Sequence, residues 1–329
     1  MRFECSVKRA RAVAVSGRFR NNAASVTRRG RTPITLLCLA AISLLALPAA
    51  AGAATPKITV QVKGPKTKNV LAKTLITGTL ANPGADKTVT LRIRNEGHPL
   101  LTKKVDPNDS TGAFRLPLTV KACCSYVVVA EQGNFSSQPA RFRVRVPNAV
   151  GKGAQAKLFN KLLKKEGYHV RGTPKKKNSA TNLAILAFRK TNGMSRNTKF
   201  SKKIFKKLLQ GRGGFKPRYD GKGKWVEVDL SRQVMSLIKG GKPAHTFHVS
   251  TGTSSTPTIR GKFRFYLRQP GYNSSRMYYS VYFRGGYATH GYDPVPTYPA
   301  SHGCVRNPVP YSRFIYGWVE IGMPIYVYG

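Results

Sequence analysis

Acidic residues are scarce in this chain. Its 329 residues hold 12 Asp and Glu against 57 Lys and Arg, a formal charge of +45. That shortage excludes a self-neutralised surface and predicts attraction to a polyanion: nucleic acid, an anionic lipid surface or an acidic wall polymer. Long apolar runs are lacking as well. The stretch Ile34–Leu47 spans about 14 residues, short of the roughly 20 a membrane-spanning helix needs. Cysteine is sparse, with Cys5, Cys38, Cys123, Cys124 and Cys304 the full set.

What is present at the N-terminus narrows the partners. Residues 1–31 are basic, the apolar stretch follows, and then comes a small-residue segment with Ala-x-Ala steps at Ala49–Ala51 and Ala51–Ala53. This is the charged, apolar and cleavable order of a secretory signal over residues 1–54, with cleavage expected near Ala53 or Ala54. An uncleaved membrane anchor is the competing reading. Leu37 stands before Cys38 where lipidation wants a small residue. Removing residues 1–54 takes away nine Lys and Arg and one Glu, so the charge falls only from +45 to +37. Export argues against nucleic acid as a partner. It favours teichoic acids, phospholipid head groups or acidic glycans, at the cell wall or in the periplasm.

Cys5 and Cys38 leave with the signal. The remaining three cannot all pair within the chain, so an oxidising compartment leaves at least one free or in an intermolecular bond. A bridge between Cys123 and Cys124 is sterically demanding, because adjacent Cα atoms sit closer than disulfides prefer. Cys304 has no obvious mate.

The chain reads as multidomain and mainly β. Residues 55–148 carry short alternating strands, such as Lys57–Val62 and Thr88–Arg94, parted by turns at Asn82-Pro83-Gly84 and Asn95-Glu96-Gly97. That spacing predicts a small β-sandwich, immunoglobulin-like in outline. Residues 152–212 switch to helical periodicity, with helices expected around Leu158–Leu163, over Ser179–Thr191 and over Ser201–Leu209. The order of helix, Glu166-Gly167-Tyr168, loop, helix and Asn192-Gly193 resembles the three-helix peptidoglycan-binding domain of wall enzymes. Arg189 replaces the usual Gln, and the loop Gly172–Lys177 is basic, so a basic helical linker is the other reading. Residues 224–329 are β-rich again and more aromatic, with strands expected at Trp225–Leu230, Gln233–Ile238, Thr246–Ser250, Gly261–Leu267, Tyr278–Phe283 and Glu320–Tyr328.

One stretch concentrates chemistry. His290-Gly291 is followed, after a short insert, by Ser301-His302-Gly303-Cys304-Val305-Arg306-Asn307. A thiol is mostly protonated at neutral pH and must lose its proton to attack. His290 and His302 are candidate bases and Arg306 adds positive potential. Glycines allow close backbone approach, and the N–H groups of Gly303 and Cys304 could meet a developing oxyanion. A free thiol in an exported protein risks oxidation, so its retention points to a use. His245 and His248 form a second His pair, but three residues apart on a strand they face opposite ways, and no metal is expected there.

These residues resemble the catalytic motif of the L,D-transpeptidase (YkuD-type) family, in which a His-Gly pair precedes Ser-His-Gly-Cys. Val228–Val234 is similar to the family's opening strand. So are Val249–Gly252, Thr256–Thr258 with Gly261–Phe263, the aromatics around Met277–Phe283, and Gly322–Pro324 to its later elements. The short insert and Asn307-Pro308 depart from the pattern. The resemblance implies a C-terminal L,D-transpeptidase domain at 224–329. Cys304 would attack a donor stem peptide, with His290 as base and the Gly291 carbonyl orienting it. His302, Gly303 and Cys304 N–H groups would bind substrate and oxyanion, and Ser301 and Arg306 would hold the loop. It implies peptidoglycan stem peptides as substrates and no cofactor. Water in place of an amine acceptor would make an L,D-carboxypeptidase, and a non-catalytic wall-binding protein is the reading from another class. A papain-like endopeptidase is disfavoured, since His290 precedes Cys304, by 14 positions.

Overall fold

The computed structural model describes residues 54–172 and 174–329. The signal read over residues 1–54 lies outside the described residues, Ala54 excepted. Among the described residues no helix is long and apolar enough to cross a membrane.

Alternation builds the first part. Strands β1 (Lys57–Val62), β3 (Lys73–Ala81) and β6 (Ala113–Thr119) form one sheet. The second has the order β2 (Thr67–Asn69), β9 (Ala140–Arg145), β7 (Cys124–Gln132), β4 (Val89–Asn95), β5 (His98–Val105), with β8 (Phe135–Ser136) beside β7. All pairings are antiparallel except β2 with β9. Val89, Leu91 and Ile93 of β4 and Phe142 and Val144 of β9 turn inward, while Arg92, Arg94, Arg141, Arg143 and Arg145 turn out. Strand period two therefore separates a dry core from a basic outer face. Each large side chain so buried contributes about 1.5–3 kcal/mol over leaving it in water. Cys123 and Cys124 form a disulfide at the entry to β7.

Three helices follow: α1 (Ala154–Lys165), α2 (Ser179–Thr191) and α3 (Lys202–Leu209). Asn178 and Ser201 cap α2 and α3 by accepting the N–H groups of Thr181 and Lys203. Acids are absent from the first turns, but Lys164, Lys165, Lys206 and Lys207 occupy last turns, where the helix dipole favours cations. Ala156, Phe159 and Leu163 of α1 pack with Ile204, Phe205 and Leu208 of α3 in a core continuous with that of the sheets.

The last part holds two more sheets. One has the order β12 (Lys242–His248), β11 (Val234–Lys239), β10 (Lys224–Asp229), β18 (Pro324–Tyr328), β13 (Gly261–Arg264). The other runs β14 (Leu267–Tyr272), β15 (Tyr278–Arg284), β16 (Tyr287–Tyr292), β17 (Val305–Pro308). Val226, Leu237, Val281, Phe283, Val305 and Ile325 fill the core between them. The strand expected over Gly261–Leu267 is broken. Phe265 N–H bonds to Met323 O and Tyr266 N–H to Tyr282 O, so the chain passes from one sheet to the other there. A fourth helix, α4 (Val309–Trp318), begins with Pro at its N-terminal turn and was not foreseen from the sequence.

The helical segment docks on the edge of the last part by backbone pairing. Thr246 of β12 donates its N–H to Gly167 O (2.6 Å) and accepts the His169 N–H (3.2 Å). Lys190 of α2 is buried and donates to Val249 O (2.8 Å) and Gln233 O (3.2 Å). Burial, helped by the Arg196 charge, pushes its ammonium down to about 7.

Candidate active site

Parallel pairing of β16 with β17 assembles the site. His290 stands in register with Arg306 and Gly291 with Asn307. Cys304 lies just ahead of β17, two residues before Arg306, and the Arg306 charge acts on both Cys304 and His290. The Cys304 thiol is 3.5 Å from Gly286 O and 4.0 Å from Met277 Sδ. His290 is not among its hydrogen-bond partners within the described residues, and such contacts are often long before substrate binds.

The protonation states follow from burial. His290 Nδ1 lies 2.9 Å from the Gly291 carbonyl. A carbonyl can only accept, so Nδ1 holds the proton and Nε2 keeps its lone pair. Burial pulls the imidazole down to about 4; the Gly291 bond opposes this and the Arg306 charge adds to it. Burial pushes the Cys304 thiol up, opposed by the Ala288 backbone and by Arg306. Burial thus favours the neutral form of both groups.

The loop before Cys304 is held at many points. Ser301 is buried, donates from Oγ to Cys304 O (2.5 Å) and accepts the Gly303 N–H (3.2 Å). Its own N–H reaches Thr251 O (2.9 Å), and its carbonyl accepts from Thr253 N–H (3.0 Å) and Thr256 Oγ1 (3.1 Å). Gly303 adopts φ +111°, and a Cβ there would come within 2.7 Å of the Tyr287 ring, so no other residue fits. Thr258 Oγ1 donates to Gly303 O and accepts the Gly252 N–H, both at 2.8 Å. Arg306 donates to Ala300 O (2.8 Å) and lies 3.9 Å over the Tyr292 ring. A Cβ on Gly291 would strike Ser312 Oγ, which itself donates to Asn307 Oδ1 (2.8 Å). No hydrogen bond from the Cys304 N–H is found among the described residues.

Of the residues singled out from sequence, Cys304, His290, Gly291, Ser301, Gly303 and Arg306 come together. His302 does not join them: its side chain is exposed and makes no hydrogen bond within the described residues. Met277, Thr258 and the Thr289–Asn307–Ser312 chain were missed. Met277 gives no chemical signal in sequence, and a buried Thr or Asn reads like any other polar residue until its partners are known. Met277 with Tyr278, the Thr256–Thr258 segment and Asn307 stand in the sequence only as parts of a pattern. His245 and His248 separate as expected from strand alternation: His245 meets His169, and His248 lies 3.4 Å from the Lys190 ammonium. Glu96, Cys123 and Cys124 also cluster, but both sulfurs are used in the disulfide and are not open to a metal.

Known proteins resemble parts of this chain. Residues 223–327 match the YkuD family, the L,D-transpeptidase catalytic domain. An L,D-transpeptidase structure from Xylanimonas cellulosilytica is 30% identical, covering 55% of this chain and 97% of that one with a TM-score of 0.51. The L,D-transpeptidase catalytic domain from E. faecium is 27% identical over 32% of this chain and 98% of its own, but superposes with a TM-score of only 0.30. No curated protein sequence matches. With nearly the whole Xylanimonas structure covered at that identity, and the family's catalytic domain matched over residues 223–327, the chain belongs to the YkuD L,D-transpeptidase family.

Proposed function

We propose that this protein is an L,D-transpeptidase that cross-links peptidoglycan through a thioester on Cys304. The observation that supports this most is the parallel β16–β17 ladder, which carries a buried imidazole, oriented by Gly291 O, on one strand while the free Cys304 directly precedes the other. In the first half-reaction His290 Nε2 takes the Cys304 proton as sulfur attacks the carbonyl carbon of the third residue of a donor stem tetrapeptide. The C–N bond to the terminal D-residue breaks, and His290 passes the proton to the leaving amine. Sulfur is left as the thioester. The Cys304 N–H is available to the oxyanion, joined by Gly303 N–H once it leaves Ser301 Oγ. In the second half a side-chain amine of an acceptor stem attacks the thioester carbon. The C–S bond breaks, an amide forms, and the amine's proton returns to sulfur through His290. Exposed His302 is free to contact substrate, and Ser301 and Arg306 act as positioning residues for the loop.

Signal-directed export to the cell wall or periplasm, with the basic surface held to anionic wall polymers or a membrane face, fits the N-terminal sequence and the charge of +45. The sandwich over residues 57–145 reads as an immunoglobulin-like spacer or binding module, and α1–α3 as a peptidoglycan-binding-like element. Incubation of the protein with tetrapeptide-containing muropeptides tests the reaction. Cross-linked dimers with release of the terminal D-residue are expected. Monomers trimmed to tripeptide, without dimers, would make it a carboxypeptidase.

A further inference from the structure

A cleft of about 790 Å³ opens where the helical segment meets the sheets of the last part. The Cys304 thiol does not line it. Pairing of Gly167–His169 with β12 sets His169 against His245, Nδ1 to Nδ1 at 3.3 Å, across 76 positions of sequence. One of these nitrogens donates and the other accepts, so the outer nitrogens of the pair present one acceptor and one donor. Phe314, 38% exposed, lies 4.5 Å from the His169 ring and 4.7 Å from the His245 ring, giving the cleft an aromatic floor. Lys164, Arg171 and Arg313 stand exposed around it. Among the described residues no Asp or Glu lines the cleft, and none of the salt bridges engages these three cations.

Uncompensated cations around an aromatic floor suit a ligand that has both negative charge and flat or polyol surfaces to lie on rings. The imidazole pair alone would suit a metal cation, but the surrounding positive charge opposes one and no third ligand is found among the described residues. The volume is that of a site for a short oligomer rather than a single ion. Three cations in one cleft, on a chain with so large a basic excess, match a polymer with a charge on every repeat unit better than a glycan charged at intervals. We propose that this cleft binds a phosphodiester-linked sugar or polyol chain of the cell wall. Tyr278 lines the cleft and its neighbour Met277 touches the thiol, so the bound polymer would lie beside the reacting centre. This deepens the wall-polymer partner proposed above. Binding is measured on the Cys304→Ala chain, so its outcome does not depend on whether transpeptidation occurs.

The test is titration of the full chain with poly(glycerol phosphate) at physiological salt. Arg171→Glu with Arg313→Glu is compared with Lys103→Glu and Lys104→Glu, an equal charge change on exposed β5. The cleft pair should weaken binding by about tenfold or more and the β5 pair by no more than about twofold, because distant exposed charges are screened. Phe314→Ala should weaken it by roughly threefold or more, through lost stacking. Melting temperatures check folding, with Arg171→Gln and Arg313→Gln as the milder pair if the reversal unfolds the chain. Equal losses from both charge pairs would overturn the proposal. Inorganic polyphosphate binding as tightly as poly(glycerol phosphate), with no loss in Phe314→Ala, would reduce the cleft to a charge trap and overturn the polyol part. Tighter binding of an uncharged N-acetylglucosamine oligomer, or of Zn²⁺ lost in His169→Ala, would overturn it too.

Discussion

The sandwich over residues 57–145 and the region from Lys224 to the end are both built of paired β-sheets, yet they bury different things. The sandwich core is almost wholly apolar, with Lys68, Gln132 and Ser137 its only fully buried polar residues. The last part buries Glu227, Asp229, Gln233, Ser250, Thr251, Thr258, Thr289, His290, Ser301, Asn307 and Ser312, among others. Most of these bond to one another or to loop backbone: Gln233 holds Thr251 at both ends of its amide, and Thr251 O accepts Ser301 N–H. Buried polar groups cost free energy unless satisfied, and once satisfied they fix geometry more narrowly than apolar packing does. The comparison teaches that one region is built to be stable and the other to hold a loop in one place.

Removing a reacting group should separate the regions most sharply. His290→Ala should slow acylation of Cys304 by about 10²- to 10⁴-fold while the melting temperature changes little or rises, checked by single-turnover mass spectrometry and calorimetry. Leu91→Ala, in the sandwich, should do the reverse. It should cost about 2–5 kcal/mol of stability in denaturant titration and leave the acylation rate of folded protein unchanged. Asn307→Ala should do both, because Thr289 Oγ1 and Ser312 Oγ lose a partner beside the His290 strand. About 1–3 kcal/mol is expected, with a slower acylation step.

Acid supplies a smaller and graded contrast. His290 and His169 are held down at about 4 and His248 at about 3, each first by burial. The unfolded chain binds these protons at about 6.5, so it holds more protons than the fold between that value and about 4. Stability from the neutral imidazoles is whole above the unfolded value and is lost as the pH falls through this window. The sandwich has only exposed His98. Trp225 and Trp318 both lie in the last part, so their fluorescence should report loosening there before β-sheet signal is lost from the sandwich. Simultaneous loss would erase the contrast.

The same division governs what was legible in the sequence. Strands β1, β4 and β9 alternate apolar with polar or basic residues and are readable because one face is wet. Helix α2 is readable from its helical periodicity and the Asn192-Gly193 stop. Helix α4 was missed because Pro308 and Pro310 look like loop residues, although proline is at home in a first helical turn. The break at Phe265 was missed because changing sheets leaves no mark in the alternating run Gly261–Leu267. In the site, Cys304 and His290 declared themselves by residue type and spacing. Thr258 and Met277 are ordinary residues whose importance comes from neighbours brought by the fold, and His169 meets His245 only because a helical segment adds itself to the edge of β12.

The central claim, that Cys304 takes an acyl group from a stem peptide, is tested most directly by intact-mass spectrometry of the protein mixed with a stem tetrapeptide. An adduct with the mass of the tripeptide acyl group, mapped to Cys304, is expected, absent in Cys304→Ala and slow to form in His290→Ala. No adduct on the intact protein, or one that survives in Cys304→Ala, would contradict it.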